Sequence, residues 1–132
     1  MDSEENSMDC KSKALLSGAA AEQLACEYLL DQGLTLVGRN FRTRRGEIDL
    51  IMQDNKVLVF IEVRFRKSIR FGSAEESITR QKCARLTAAA LAYMQYQHVG
   101  ENTVVRFDAV AISPESNNQY DFKLNWIKNI LA

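Results

Sequence analysis

The fold is decided by residues 57–64, which read Val-Leu-Val-Phe-Ile-Glu-Val-Arg. The first five are apolar and strand-forming, and such an unbroken run is typical of a strand that is covered on both faces of its sheet. Glu62 follows this run directly, and an ionised carboxylate at the end of a buried strand is costly unless a cation compensates it. We therefore expect a positive group or a metal ion beside Glu62.

A second strand precedes this one in the sequence. Residues 47–53 alternate along the chain, and Asp54-Asn55 supplies a hairpin turn between the two strands. The alternation predicts that Ile48, Leu50 and Met52 share one face of the sheet.

Charged residues gather at one edge of this predicted hairpin. Pairing of the two strands can bring the carboxylates of Asp49 and Glu62, thirteen positions apart, to the same edge. Residues two apart on a strand face the same way, so Arg64 is expected beside Glu62 and Glu47 beside Asp49.

Two carboxylates gathered with a cation are what phosphodiester hydrolysis requires. They offer oxygen ligands to Mg²⁺ or Mn²⁺, a metal-bound water can attack, and the cation neutralises the developing phosphate charge. The alternative is that Glu62 and Arg64 form structural salt bridges with Arg44 or Arg45, and that Asp49 merely ends a strand. The spacing alone leaves both interpretations open.

The rest of the chain predicts an α/β sandwich with a mixed sheet in a single domain, residues 18–132. The predicted elements are a helix that begins near Gly18 and stops at Gly33, a strand over 34–41, the two strands above, a loop over 71–77, a helix from Thr79 to about Tyr96, a strand over 103–112 and a short helix over 126–131. Residues 1–17 are too polar to offset the entropy of ordering and are expected to be mobile. Asp108 is expected to form structural hydrogen bonds, and Trp126 to pack against the sheet.

Composition bounds the class of protein. Of the 132 residues, 46% are hydrophobic and 26% are charged, which is typical of a soluble globular protein. No apolar run reaches the roughly 18 residues of a membrane span, and the first residues do not resemble a signal peptide. We therefore expect a cytoplasmic protein with no membrane partner. Three widely spaced cysteines and one histidine do not form a disulfide framework or a zinc cluster.

The formal net charge is zero, but the charge is unevenly distributed. Residues 39–85 contain twelve Lys or Arg against six Asp or Glu, and the remaining residues carry the opposite excess. Phosphate-binding surfaces need such a local excess, because each neutralised phosphate releases counterions. A solvated basic face without a ligand is the alternative.

Several runs along the chain carry a family resemblance. They are Gly18-Ala19-Ala20-Ala21-Glu22, Gly46-Glu47-Ile48-Asp49-Leu50-Ile51, Leu58-Val59-Phe60-Ile61-Glu62-Val63-Arg64-Phe65-Arg66, Phe71-Gly72, Thr79-Arg80-Gln81-Lys82 and Arg106-Phe107-Asp108-Ala109-Val110-Ala111. In this order they closely resemble the bacterial YraN family, which is similar to archaeal Holliday junction resolvases and belongs to the PD-(D/E)XK nuclease superfamily. The resemblance implies a restriction endonuclease-like fold, a three-layer sandwich with a central mixed β-sheet flanked by helices.

The resemblance also implies roles for the matched residues. Asp49 takes the metal-binding Asp position, Glu62 the Glu position, and Arg64 the place of the motif Lys, so that these three form the catalytic group. Glu22 would approach a Mg²⁺ or Mn²⁺ ion held by Asp49 and Glu62, and the alternative is that it is an exposed helix carboxylate. Lys82 would meet phosphate, or else is a surface lysine.

Arg64 is the departure from the motif. A lysine can lose its proton when it is buried, whereas arginine stays charged. Arg64 could therefore orient and neutralise phosphate, but it could not act as a general base.

The hypotheses from the sequence fall into three classes. The first is a metal-dependent endonuclease that hydrolyses phosphodiester bonds in branched or single-stranded DNA, and the alternative is a non-catalytic nucleic-acid-binding module on the same fold. A third is an interaction protein whose charged strand ends form salt bridges to a partner. A homodimer is compatible with an enzyme that cuts two strands, but the sequence marks no interface.

Both nucleic-acid hypotheses predict a positive rim around the edge that carries the carboxylates. Its expected members are Arg42, Arg44, Arg45, Arg66, Lys67 and Lys82, of which Arg44, Arg45, Arg66 and Lys82 are the predicted nucleic-acid contacts. Glu47 is expected to lie just behind the metal ligands.

Overall fold

The computed structural model describes residues 17–67, 72–115 and 118–131. The helices are α1, Gly18–Asp31, and α2, Arg80–Tyr96, with a one-turn 3₁₀ helix over Glu75–Ser77 in the predicted loop. The strands are β1, Thr35–Arg42, β2, Glu47–Asp54, β3, Val57–Phe65, β4, Val105–Glu115, and β5, Asn118–Ile127. The predicted mobile segment lies outside the described residues, apart from Ser17. Within the described residues, no helix has the length and apolar character needed to span a membrane.

The five strands form one mixed sheet in the order β1-β2-β3-β4-β5. Strands β1, β2 and β3 form an antiparallel meander, β4 runs parallel to β3, and β5 runs antiparallel to β4. The parallel pair needs a long crossover, which contains α2. Strand β3 therefore has a strand on each side and helices above and below, as its unbroken apolar run predicts.

Two apolar clusters lie on opposite faces of the sheet. Helix α1 contributes small and medium side chains to the first, and α2 does the same for the second. The first contains Ala21, Ala25, Cys26, Leu29, Leu34, Leu50, Met52, Val59, Ile61, Val110 and Ile112, and the second contains Ile48, Ile51, Leu58, Phe60, Leu86, Ala89 and Ala90. This arrangement of helix, mixed sheet and helix confirms the predicted α/β sandwich, and it is consistent with a restriction endonuclease-like fold.

The predicted C-terminal helix over 126–131 is wrong. Residues up to Ile127 belong to β5, which pairs with β4 along its length. Phe122, Leu124 and Trp126 alternate with polar residues and pack against the α1 cluster. This period of two indicates a half-buried strand, which the sequence analysis did not recognise.

The predicted face of Ile48 is also wrong. Leu50 and Met52 lie in the α1 cluster, whereas Ile48 lies with Ile51 in the α2 cluster. Strict alternation would place Ile48 and Leu50 on one face. The alternation is therefore interrupted at Asp49, which lies between them.

Asp108 ties β4 to the end of β5. Its fully buried carboxylate accepts hydrogen bonds from Arg106 Nε at 2.9 Å, from Trp126 Nε1 at 2.9 Å and from the Asn129 N–H at 2.9 Å. Arg106 also forms a 3.1 Å ion pair with Asp54. This buried charge is both paired and hydrogen-bonded, which confirms the structural role expected for Asp108.

The turn between β1 and β2 lies directly against α2. The Thr43 N–H donates to the Gly46 carbonyl at 2.8 Å, and the Thr43 hydroxyl accepts the N–H groups of Arg45 and Gly46 at 3.1 Å. A Cβ at position 46 would lie 2.5 Å from the carbonyl carbon of Arg85, 2.9 Å from its Cα and closer still to its carbonyl oxygen. Glycine is therefore required for this approach of two backbones.

We expect Gly46→Ala to lower the free energy of unfolding by about 2–3 kcal/mol, because the methyl group would displace α2 or the turn. Urea denaturation followed by circular dichroism measures this change. Gly18→Ala is the matched control, because nothing lies within 4 Å of a Cβ there, and it should leave stability unchanged or slightly raised. Equal stability of the two variants would contradict the close contact at Gly46.

Candidate functional site

The candidate site lies where β2 parts from β3. The regular pairing of these strands runs from Asp54↔Val57 to Leu50↔Ile61. Beyond that pair, the Val63 N–H donates to Asp49 Oδ2 at 2.7 Å. The Asp49 side chain therefore accepts the N–H group that a backbone carbonyl of β2 accepts in a regular ladder, and the Asp49 carboxylate lies between the two strands.

Glu62 lies beside this gap and is buried, with 8% of its surface exposed. Arg64, two residues along β3, places Nη1 3.4 Å from Glu62 Oε2, and Lys82 in the first turn of α2 also interacts with the carboxylate. Burial raises the pKa of Glu62, while the charges of Arg64 and Lys82 oppose this rise. The cation that the sequence predicted beside Glu62 is thus supplied by the chain.

Asp49 is the more strongly perturbed carboxyl group. Burial, followed by the charge of Glu62, raises the pKa of Asp49 to about 8, and the hydrogen bond from the Val63 N–H opposes the rise. Glu22 on α1 contributes further repulsion and lies within hydrogen-bonding reach of Asp49. Two carboxyl groups can share such a bond only when one is protonated. The pKa of about 8 therefore keeps a proton in the hydrogen bond between Asp49 and Glu22 at neutral pH.

Ser77 is a contact of the site that the sequence analysis missed. Arg64 Nε donates to Ser77 Oγ at 2.8 Å, and the Ser77 hydroxyl donates to the Ala74 carbonyl. With Nη1 directed to Glu62, these bonds hold the guanidinium at two points. Nothing in the sequence indicates this contact, because it depends on the path of the chain between β3 and α2.

Cys83 is a second neighbour that the sequence analysis did not assign to the site. Its thiol is half-buried on α2, next to Lys82. Burial and the charge of Glu62 raise the pKa of Cys83. This thiol therefore stays protonated at neutral pH, in contrast to a reactive thiolate.

Glu47 lies at the outer side of the site. It is exposed and forms a 3.5 Å ion pair with Arg42, and its charge contributes to the raised pKa of Glu62. Glu47 is thus near the carboxylates but directed towards solvent.

The predicted basic residues occupy three places. Lys82 interacts with Glu62, whereas Arg44 and Arg45 are exposed in the turn that packs against the middle of α2. Arg66 follows β3, where its N–H donates to the Ile112 carbonyl, and Lys67 is exposed beside it. Within the described residues, Lys82 is thus the member of the set whose charge acts on Glu62, and Arg42 pairs with Glu47 at the outer side of the site.

The three carboxyl groups of the site have the chemistry that a hard divalent cation requires, but their side chains are not arranged around a common point. Asp49, Glu62 and Glu22 offer carboxylate oxygens, which Mg²⁺ and Mn²⁺ prefer, and their mutual repulsion would be relieved by a cation. In residues 17–67, 72–115 and 118–131, however, no three Asp, Glu, His or Cys side chains are arranged as a finished metal site. Side-chain rotation would be needed to complete it.

We expect Asp49→Asn to stabilise the metal-free protein at alkaline pH. A folded-state pKa of about 8, above the ordinary 3.8, means that protonated Asp49 contributes stability below about pH 4 and that this contribution is lost as the pH rises through 8. Asparagine stays neutral and can still accept the Val63 N–H. At pH 9 in EDTA, the variant should be more stable by roughly 1–3 kcal/mol, and the difference should shrink at pH 6.

Thermal unfolding at the two pH values measures this effect. Asp31→Asn at the exposed end of α1 is the control and should change stability by less than about 0.5 kcal/mol. A less stable Asp49→Asn protein at pH 9 would mean that the ionised carboxylate is favourable in the fold.

Comparisons with known proteins identify relatives of this chain. It is 55% identical over 98 residues to a UPF0102 protein of Nitrosococcus oceani, covering 74% of this chain and 79% of the relative. It is 44% identical over 116 residues to one of Methylococcus capsulatus, covering 88% and 90%, and 43% identical over 112 residues to one of Legionella pneumophila, covering 85% and 91%. The sequence model described as "Uncharacterised protein family UPF0102" matches residues 21–112, a range that contains all the residues of the candidate site. The chain therefore belongs to the uncharacterised protein family UPF0102, which agrees with the resemblance to the YraN family.

Proposed function

We propose that this protein is a metal-dependent nuclease that hydrolyses phosphodiester bonds in DNA, with branched or single-stranded DNA as substrate. The observation that carries the proposal is the meeting of a half-buried carboxyl group, Asp49, and a buried one, Glu62, with Arg64 and Lys82 in the gap between β2 and β3. Burial and the neighbouring Glu62 raise the pKa of Asp49 far above its ordinary value, and carboxyl groups perturbed in this way concentrate at functional sites.

Metal binding is assigned to Asp49 and Glu62, with Glu22 as a third carboxylate from α1. When bound, Mg²⁺ or Mn²⁺ would supply an activated water and neutralise charge on the phosphate. Asp49 is already fixed by the Val63 N–H, so one of its oxygens has a defined direction. The proton held between Asp49 and Glu22 at neutral pH would be released on metal binding.

Arg64 is assigned to the phosphate. Among the described residues, Ser77 and Glu62 engage Nε and Nη1, and the second amino group of the guanidinium would bind a phosphate oxygen. Because arginine stays protonated, Arg64 stabilises negative charge and takes no proton. A bound metal ion would lower the pKa of the attacking water, which would then lose its proton to solvent or to an adjacent carboxylate. Lys82 adds a second positive charge near the same oxygens.

A non-catalytic nucleic-acid-binding module on the same fold is the second candidate. It is favoured by the lack of a finished three-ligand metal group in the described part of the chain. The first candidate explains better why carboxylates are retained beside a phosphate site, since negative charge there opposes nucleic-acid binding. The two differ in their response to chelation, which a binding module should tolerate.

We expect Asp49→Asn and Glu62→Gln to lose cleavage by a factor on the order of 100–1,000, because they remove ligands that act in the transition state. Their affinity for DNA should hold or rise, because each substitution removes negative charge. Arg64→Ala should weaken both activities, with binding reduced about tenfold. Cleavage and gel-shift assays on branched and single-stranded DNA, with Mg²⁺, Mn²⁺ or EDTA, measure these effects.

Glu101→Gln is the control for loss of a carboxylate, because Glu101 is exposed in the loop between α2 and β4. It should cleave and bind like the wild type. Undiminished cleavage by Glu62→Gln would place the activity at another site or in a contaminant. Tight binding that survives EDTA, with no cleavage of any substrate by the wild type, would support the binding module instead.

A further inference from the structure

An open groove of about 440 Å³ lies between the β1–β2 turn and α2. It is lined by Thr43, Arg44, Arg45, Ala88, Leu91, Ala92 and Gln95. The contact of Gly46 with Arg85 holds the turn close to the helix, and the small side chains of Ala88 and Ala92 keep the space open. The floor of the groove therefore follows from the packing of the turn against α2.

The floor of the groove is apolar and faces solvent. Leu91 is 61% exposed although it lies in the middle of α2, and the two alanines extend the apolar surface along the helix. Tyr96, one turn beyond Ala92, is also exposed and lies at the spacing at which helix side chains are neighbours. An apolar surface of this kind gains free energy when a ligand covers it.

The charge of the groove restricts that ligand. Arg44 and Arg45 form one wall, and no carboxylate stands among the described residues that line the groove. A second copy of the chain seated symmetrically here would bring arginine against arginine, which is unfavourable. The lining suits a ligand with a flat apolar body and attached negative charge, and the Gln95 amide can donate to and accept from the edge of such a body. A nucleobase with its phosphates has this chemistry.

The position of the groove relates it to the candidate site. Lys82, near Glu62, lies at the start of α2, and the groove spans Ala88 to Gln95 on the same helix. A separation of six to thirteen residues corresponds to roughly 9–20 Å along the axis, which is roughly three to six nucleotides at about 3.4 Å per stacked nucleotide. Leu91 lies on the opposite side of α2 from Lys82, so a strand that reaches both would also pass around the helix and would need at least this many nucleotides.

We infer that this groove binds an unpaired nucleobase a few nucleotides from the phosphate at the candidate site, so that the substrate is a strand with unpaired bases. The inference rests on the proposed function for the phosphate position, while base binding itself can be measured without cleavage. A base in an intact duplex could enter the groove only after unstacking and unpairing. Single-stranded DNA should therefore bind more tightly than a blunt duplex with the same number of phosphates.

The test is fluorescence anisotropy in EDTA with three labelled DNAs. They are an oligothymidylate, a strand of the same length whose residues are abasic, and a blunt duplex. Wild-type protein should bind the abasic strand about tenfold more weakly than the oligothymidylate, because the phosphates are equal and only the bases are missing. Leu91→Glu should bind the oligothymidylate no better than the abasic strand.

Leu30→Glu is the matched control, since Leu30 is an exposed leucine of α1, which packs on the other face of the sheet. It introduces the same charge and should keep the wild-type preference for bases. Equal binding of both strands by the wild type would overturn the inference and indicate that a ligand other than nucleic acid covers the groove. The inference would also be overturned if Leu91→Glu kept the wild-type preference for bases and sedimented as a smaller species than the wild type. That result would indicate that the groove is a contact between copies of the chain.

Cleavage in Mg²⁺ or Mn²⁺ separates this inference from the proposed function. Base preference in EDTA without any cleavage would support the groove and count against the nuclease. Cleavage without base preference would support the nuclease and overturn the groove.

Discussion

The hydrogen bond from the Val63 N–H to the Asp49 carboxylate, 2.7 Å long, determines where β2 parts from β3. Towards Asp54 the two strands form a regular ladder, with apolar side chains in both clusters. Towards Glu47 the ladder gives way to a side-chain acceptor, and the gap accommodates charged groups. The carboxylates thus lie at the end of a rigid paired segment, which fixes their position as a flexible loop would not.

The two helices then bring further charge to this gap from opposite faces of the sheet. Glu22 approaches from α1 and Lys82 from α2, and each helix is held by its own apolar cluster. The desolvated carboxyl groups of Asp49 and Glu62 oppose folding, while the two clusters favour it, so the clusters maintain an arrangement that the charged groups alone would not adopt. Arg64 relieves part of the repulsion, and Ser77 keeps it in place.

The features that could be predicted from the sequence are those that depend on residues close together along the chain. The approach of Asp49 and Glu62 follows from a hairpin whose strands are thirteen positions apart at these residues, and β3 was evident from its unbroken apolar run. Strand β5 was missed because its apolar residues are separated by polar ones, and its pairing with β4 is evident only in three dimensions. The face of Ile48 was mispredicted because alternation assumes regular pairing, which ends beside Asp49. Ser77 could not be predicted, since its contact depends on a connection with no periodic pattern.

Helix α2 links the candidate site to the groove because it contributes residues to both. Its first turn carries Lys82 to the carboxylates, its middle accepts the Gly46 turn at Arg85, and its second half forms the groove floor. The turn that Gly46 seats also carries Arg44 and Arg45, so one backbone contact sets the distance between the arginine wall and the apolar floor. The spacing between Glu62 and Leu91, at which we propose that a phosphate and a base bind, is therefore a property of helix geometry and of that single contact. A change that displaced the turn from α2 would therefore alter the groove. It would not alter the position of Asp49, because that position depends on the pairing of β2 with β3.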